Sequence, residues 1–585
     1  MYWKGITTHT FFCVLLVTGL FSCKNATDVS SSFSLNLRLP NEPESLHPIF
    51  SKSSNASPIE SLILLPITEY DPFSLTLTPL LITKMPVPEM VTEGKHANGK
   101  VFNLEFRPEA EWADGKPVTG EDYLFTIKSI YNPYVNADSW KNFAEFISEI
   151  LIDPNDPKKV AVYFDSTYLL DYEAATNWNL YPAHIYDPEN IMSKFTLEEL
   201  RATDKAWTAE QDSLLKRFAT LYESPEFFRE TVSGAGAYEL DEWMTGEYIR
   251  LKRKQNWWGD KIENSPLLLK DYPAEITYRI ILDAAAAEAA LKAGEIDLMA
   301  EVPASSFKTL SEDPDWKDKL QFETPPLMVL NYLELNNRDS ILADPRVRKA
   351  LAYTLDYDGI LNNVMAGLAR RTVGPIHPDR SYYHKELSPL KQDVQKSLSL
   401  LKEAGWEDTN GNGTPDKMIG GKREELKLSI KLSNKAEGMA IANIVKENAA
   451  KAGFDIELDI IDPGQVQQDL RQHNFQILPL RTSFFPSPDD PFSIWHSSND
   501  IPGGSQRSGF HTPELDQLIE NLRTTTDSEE RAAAYKKFQE IIYNAQPVIY
   551  LYVPLERIIA SKKIQLQTSS RRPGYFENLI KPAGS

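Results

Sequence analysis

The chain has 585 residues, more than one compact core holds, so two or three domains are expected. With 42% hydrophobic and 25% charged residues it reads as a soluble globular protein, and its formal charge of −21 disfavours a nucleic-acid partner, because phosphate recognition needs clustered Lys and Arg. Its two cysteines, Cys13 and Cys23, both lie near the N-terminus, so the rest of the chain has no disulfide, thiol nucleophile or Cys-ligated metal.

The first predicted element is a secretion signal. Lys4 supplies its positive end, and residues 11–20 (FFCVLLVTGL) form an apolar run too short for a permanent membrane span. Next comes Leu20-Phe21-Ser22-Cys23, which resembles a bacterial lipobox, where the last thiol is lipidated and the preceding segment removed. The resemblance implies a signal peptide over 1–22, palmitate-type acyl chains on Cys23, and a polar tether over 23–32 holding the protein at the cell envelope. The alternative is an ordinary signal followed by an incidental cysteine.

Residues 33–39 read as a strand. Phe102, Leu104 and Phe106 alternate as in another strand, which runs into a turn at Asp114-Gly115 and then Pro117-Val118-Thr119. Thr119 is placed to cap a helix carrying Asp122, Tyr123 and Phe125. Further strands are expected at 160–164 and 276–282. Helices ended by glycine are expected at 398–405 and 441–453, the second followed by a strand at 454–461. Repeated helix, glycine, strand order indicates α/β layers, and no repeat of solenoid length is visible.

The order of short motifs is the strongest signal. The segment from Phe102 to Phe125 is followed by Gly234-Ala235-Gly236-Ala237-Tyr238, by Trp243 and Gly246, and by Asn256-Trp257-Trp258-Gly259. Then come Ala290-Leu291-Lys292-Ala293-Gly294-Glu295-Ile296-Asp297 and Asp344-Pro345-Arg346-Val347-Arg348-Lys349-Ala350-Leu351, with Phe510, Thr512-Pro513-Glu514-Leu515-Asp516 and Pro547-Val548-Ile549 further on. This ordered set resembles the family 5 solute-binding proteins, the extracytoplasmic receptors of peptide, nickel and related ABC importers.

The resemblance implies an α/β fold of the bilobal periplasmic-binding-protein type (class II), with an extra subdomain inserted in lobe I. Lobe I maps to 33–72, 232–320 and 550–585, the inserted subdomain to 73–231, and lobe II to 321–549. Hinge crossings are expected at 325–335 and 547–554.

A search for catalytic chemistry finds no HExxH, GxSxG or Walker loop. The histidines are scattered, and no metal or other cofactor is expected. Residues 408–416 (DTNGNGTPD) follow the order of a calcium loop, but the twelfth position is Ile419 rather than Glu, and a plain turn, whose positive φ angles Asn and Gly accept, is expected instead.

Recognition without chemistry calls for a cleft lined by aromatic and polar groups. By resemblance, the wall of that cleft is the loop following the 475–480 strand, with Phe484, Phe485, Ser487 and Asp489 toward the ligand. Ser487 stands where dipeptide and oligopeptide receptors carry the acid for the ligand ammonium, and no arginine occurs at 432–435, where dipeptide receptors hold the carboxylate. Both departures weaken a short zwitterionic peptide as ligand. Ser53 and Ser54 align with a lobe I wall. Arg370 and Arg371 follow a lobe II helix, Asn331 and Tyr332 sit at the hinge, and Trp495 and Arg507 complete the candidate set.

The expected function is a monomeric, lipid-anchored receptor that captures a peptide or similar organic solute and delivers it to an ABC permease and its ATPase. A non-transport sensor or chaperone-like receptor outside the cytoplasm is the alternative.

Overall fold

The computed structural model describes residues 33–51, 53–202, 204–501 and 503–584, so the expected signal, Cys23 and tether lie outside the described residues. Three sheets organise the chain. The first has seven strands in the order Leu320–Glu323, Ile558–Ser561, Leu298–Met299, Ser34–Leu39, Glu275–Ile280, Tyr248–Arg253 and Tyr238–Met244. Ser34–Leu39 runs parallel to Glu275–Ile280, with Ser34 opposite Glu275 and Leu39 opposite Ile280.

The second sheet has six strands in the order Ala369–Arg371, Val548–Pro554, Val329–Leu335, Ile477–Ser483, Lys427–Leu432 and Asp455–Ile460. Side-chain alternation along Val329–Leu335 feeds two cores, because successive residues point to opposite faces. Leu330 and Tyr332 join the helices Pro513–Thr524 and Ser528–Ala545 on one face, while Leu333 and Leu335 join Pro345–Thr354 and Ala436–Ala450 on the other. A bulge between Asn331 and Tyr332 shifts the pairing with Val548–Pro554 and sets Asn331 opposite Tyr552.

The third sheet, Glu89–Met90, Lys100–Glu105, Asp156–Phe164 and Ile147–Asp153, belongs to the region between the early strands of the first. It shares a continuous core with the seven-stranded sheet, in which Phe102, Tyr123 and Trp178 are buried with Leu37 and Ile276. The helix Gly120–Tyr131 starts as its sequence suggests: the Asp122 carboxylate accepts the Thr119 N–H at 2.9 Å and the Trp112 indole N–H at 3.3 Å.

Gly236 shows why that motif is built of small residues. Its N–H donates to Ile63 O at 2.9 Å, and a Cβ placed there would stand 2.2 Å from Leu62 O. At 408–416 the chain forms a hairpin entry. The Asp408 carboxylate accepts the N–H groups of Gly411 at 2.7 Å and Gly413 at 3.0 Å, so the oxygens that would face a cation are engaged by the turn itself.

The chain passes between the two large sheets twice, at 324–328 and at 555–557. The second passage lies a few residues beyond the boundary expected at 549/550, because Val548–Pro554 completes its pairing inside the six-stranded sheet. The crossings lie side by side: Pro326 and Leu555 form an antiparallel bridge, and the Glu556 N–H donates to Pro325 O at 2.8 Å.

Candidate functional site

Beside the double crossing is a recess lined by Glu301, Asn331, Glu437, Arg481, Tyr552 and Arg557, among others. Its charged groups come from both sides. Glu301 follows the Leu298–Met299 strand of the seven-stranded sheet, and Arg481 lies on the Ile477–Ser483 strand of the six-stranded sheet. Their side chains meet at 3.3 Å, and Arg572, from the C-terminal segment, also pairs with Glu301. Arg557 holds Glu437 at 2.9 Å, and the Glu556 carboxylate accepts the Glu301 N–H at 3.0 Å.

Burial alone would raise the proton affinity of Glu301, but Arg481 and Arg572 outweigh it and hold the carboxyl at about 2. Glu301 also has φ of +52, a left-handed backbone that costs a side-chain-bearing residue roughly 1 kcal/mol and occurs preferentially where a site needs it. Asn331 Nδ2 is buried here with no hydrogen-bond partner. Interleaved charges, one unsatisfied amide and no nucleophile-base pair suit a polar solute held by hydrogen bonds.

A second contact joins the six-stranded side to the inserted region, away from the crossings. Arg523, on the Pro513–Thr524 helix, donates to Asp490 at 2.9 Å and to Glu145 at 2.6 Å. Its guanidinium lies 4.1 Å from the Phe492 ring centroid and 4.7 Å from that of Phe146, which stacks on Tyr168 at 3.9 Å. The Tyr168 hydroxyl donates to Asp490 at 2.9 Å, and the Leu169 N–H donates to Arg523 O at 2.7 Å.

The residues expected to line the cleft are dispersed. Asn331 lines the recess at the crossing, and Ser54 lies at the mouth of a separate recess on the seven-stranded side. Ser53 stabilises a turn through the Asn55 N–H at 3.2 Å. Phe484 is half-buried against the core around Leu330 and Trp495, 5.8 Å from the His377 ring, whereas Phe485 is 70% exposed. Ser487 is buried, with its hydroxyl against that of Tyr70.

Several of the expected residues are engaged elsewhere. Asp489 is bonded to Arg380 at 3.1 Å and to the Tyr382 hydroxyl at 2.8 Å, so its charge is matched within its own side of the molecule. Tyr332 and Trp495 are core residues, the latter packed on Phe538. Arg371 lies 3.5 Å over the Tyr357 ring and donates to Leu551 O at 2.9 Å, and Arg370 is paired with Asp379 at 2.8 Å. Arg507 lies beside Tyr332 and Glu334 rather than at the recess. Glu301, Arg481 and Arg523 were not singled out by the sequence; Arg481 alone stood within a motif already noted, at the start of the loop leading to Phe484.

Residues 85–503 match the family described as "Bacterial extracellular solute-binding proteins, family 5 Middle". The chain is 25% identical over 567 residues to the oligopeptide-binding protein AppA of Bacillus subtilis, covering 94% of this chain and 93% of the relative. The solved structure of that AppA with a nonapeptide superposes with a TM-score of 0.76, covering 94% of this chain and 99% of AppA at 22% identity. NikZ of Campylobacter jejuni, solved with Ni(L-His), gives a TM-score of 0.72 at 21% identity, over 94% of this chain and 97% of NikZ. The fold is that of the bilobal periplasmic binding proteins, and the chain belongs to the family 5 bacterial extracellular solute-binding proteins, which bind ligands and are not enzymes.

Proposed function

We propose that this protein is the solute-capturing receptor of an ABC importer, taking a peptide or similar organic solute into the gap between its lobes and presenting it to a membrane permease powered by an ATPase. The relative AppA is named for oligopeptides and is solved with a nonapeptide, and NikZ is solved with Ni(L-His). The observation that carries the reading is the recess at the double crossing, where Glu301 and Arg481 from opposite lobes lie within 3.3 Å of each other. A solute bound there touches both lobes at once and so favours the closed form over the open one.

The Arg523 contact is the second element of closure, drawing lobe II onto the inserted subdomain. Lobe I over 33–72, 232–320 and 550–585, the inserted subdomain over 73–231 and lobe II over 321–549 is the proposed division. Lipidation at Cys23 would keep a monomeric receptor beside its permease on the outer face of the membrane; among the described residues no helix is long and apolar enough to cross one. The test is thermal unfolding of the full chain against peptides, oligosaccharides and nickel chelates. A cognate solute raises the melting temperature by mass action, and a flat response to all three classes refutes the assignment.

A further inference from the structure

A second recess opens on lobe I and touches the first through Glu301. Ser54 and Asn55 stand at its mouth, Arg38 and Arg572 on its walls, and Tyr278 and Glu577 on its floor. Three features of this recess are unbalanced. Arg38 is 7% exposed; it donates to the carbonyls of Ile281 at 3.0 Å and Leu282 at 3.1 Å, yet makes no ion pair among the described residues. The Tyr278 hydroxyl and the Glu577 carboxyl, on residues 2% and 4% exposed, face each other without a well-formed hydrogen bond and reach no other side-chain partner among the described residues.

A buried cation whose nearest carboxylates, Glu301 and Asp283, form no ion pair with it, beside a tyrosine and a carboxyl that find no side-chain partner but each other, is costly unless a group of opposite charge arrives. We propose that this recess is a subsite for a carboxylate carried by the captured solute, held by Arg38 and Arg572 and hydrogen-bonded by Tyr278 and Glu577. The proposal rests on the reading of the chain as a solute receptor and adds a ligand chemistry to it. Glu301 does not fill the role, because its carboxylate turns toward Arg481 and Arg572.

Glu577 makes the proposal specific. Burial holds its carboxyl at about 7, and the groups around it are Tyr278, Tyr575 and Tyr238, with Arg38, Arg572 and Glu301 elsewhere in the recess. In its protonated form Glu577 donates a hydrogen bond to a bound carboxylate, and the added negative charge favours that proton further. Capture of a carboxylate is therefore coupled to proton uptake and strengthens as the pH falls through neutrality.

The experiment is calorimetric titration of the full chain with peptides in three forms: free C-terminus, C-terminal amide, and amide with an internal Asp or Glu. The first and third forms separate a terminal from a side-chain carboxylate. For any sequence that binds, removing the last carboxylate should weaken binding about tenfold or more, the effect of losing a hydrogen bond between charged groups. Arg572→Gln should remove most of that preference, and Glu577→Gln should keep binding but abolish its strengthening between about pH 8 and pH 6. Arg38→Gln is a further variant, read only if its melting temperature is near wild type. Equal affinity for carboxylate and amide forms, or a wild-type pH profile in Glu577→Gln, overturns the subsite while leaving the receptor reading intact. Absence of binding by every peptide form also overturns the subsite, and the receptor reading then rests on the thermal response to oligosaccharides and nickel chelates.

Discussion

Glu301, just after a strand of the seven-stranded sheet, and Arg481, on a strand of the six-stranded sheet, are 180 residues apart, yet their side chains meet at 3.3 Å beside the place where the backbone crosses twice. The pair bridges the lobes. Glu301 reaches it through a left-handed backbone conformation fixed by the Glu556 carboxylate on its N–H. Replacing Glu301 by Ala removes the charge and keeps the strain, whereas Gly removes both. Glu301→Gly should therefore be more stable than Glu301→Ala by about 1 kcal/mol in denaturant titration, the cost of a Cβ in that conformation.

Arg523 is the polar centre of the other interlobe contact, with its guanidinium bonded to Asp490 and Glu145 and set among Phe146, Tyr168 and Phe492. Arg523→Ala leaves two carboxylates facing each other and should disfavour the closed form by about 2–4 kcal/mol, as expected when one partner of a largely buried ion pair is deleted. Small-angle scattering of the solute-free protein should show a larger radius of gyration for the variant. Arg523→Lys keeps the charge without the planar stacking, and should fall between the two.

The pH response of stability follows from carboxyl groups buried in the fold. Burial raises Glu60 to about 8 and Asp271 and Glu334 to about 7, as it does Glu577. Each is neutral in the fold near pH 6 but ionised in the unfolded chain, so each stabilises at low pH and loses that contribution as pH rises through its folded value. His47, lowered to about 3 by burial among Phe50, Tyr181 and Tyr222, acts in the opposite sense, but only below about 6.5. Lys254, lowered to about 8 by burial, titrates at the upper edge of the window. Between about pH 8 and pH 6.5 the acids dominate, and the melting temperature should rise as the pH is lowered. Glu60→Gln should flatten that slope.

Gly236 tests the packing of the seven-stranded lobe. A methyl group there meets the backbone carbonyls of Leu62 at 2.2 Å and Ile63 at 2.7 Å, which cannot move without unseating the Ala56–Ile63 helix. Gly236→Ala should cost about 1–3 kcal/mol or more, as overpacking does, measured as a lower denaturation midpoint.

Much of the fold was legible because its signals are local. Alternation in residues 33–39 and 276–282 and the glycine-ended runs 398–405 and 441–453 mark the strands Ser34–Leu39 and Glu275–Ile280 and the helices Val394–Glu403 and Ala436–Ala450, which start four and five residues before the runs do. Gly405 and Gly453 have the positive φ that helix ends require.

The site was less legible because its contacts are long-range. Arg523 and Glu145 are 378 residues apart, and no local pattern announces that they meet. Tyr332 is expected at the hinge and Trp495 among the cleft residues, and only the long-range packing of Trp495 on Phe538 and of Tyr332 on Tyr550 shows them in the core. Asp489 looked available in sequence; Arg380, which neutralises it, arrives from a separate loop.

The central claim is that two lobes close on a guest and leave it chemically unchanged. Native mass spectrometry of the full chain, incubated with a mixture of peptides and small organic solutes, tests it most directly. The expected spectrum shows one solute bound per chain and recovered at its original mass on denaturation. A chain that stays unladen across the mixture, or returns its guest cleaved, contradicts the account.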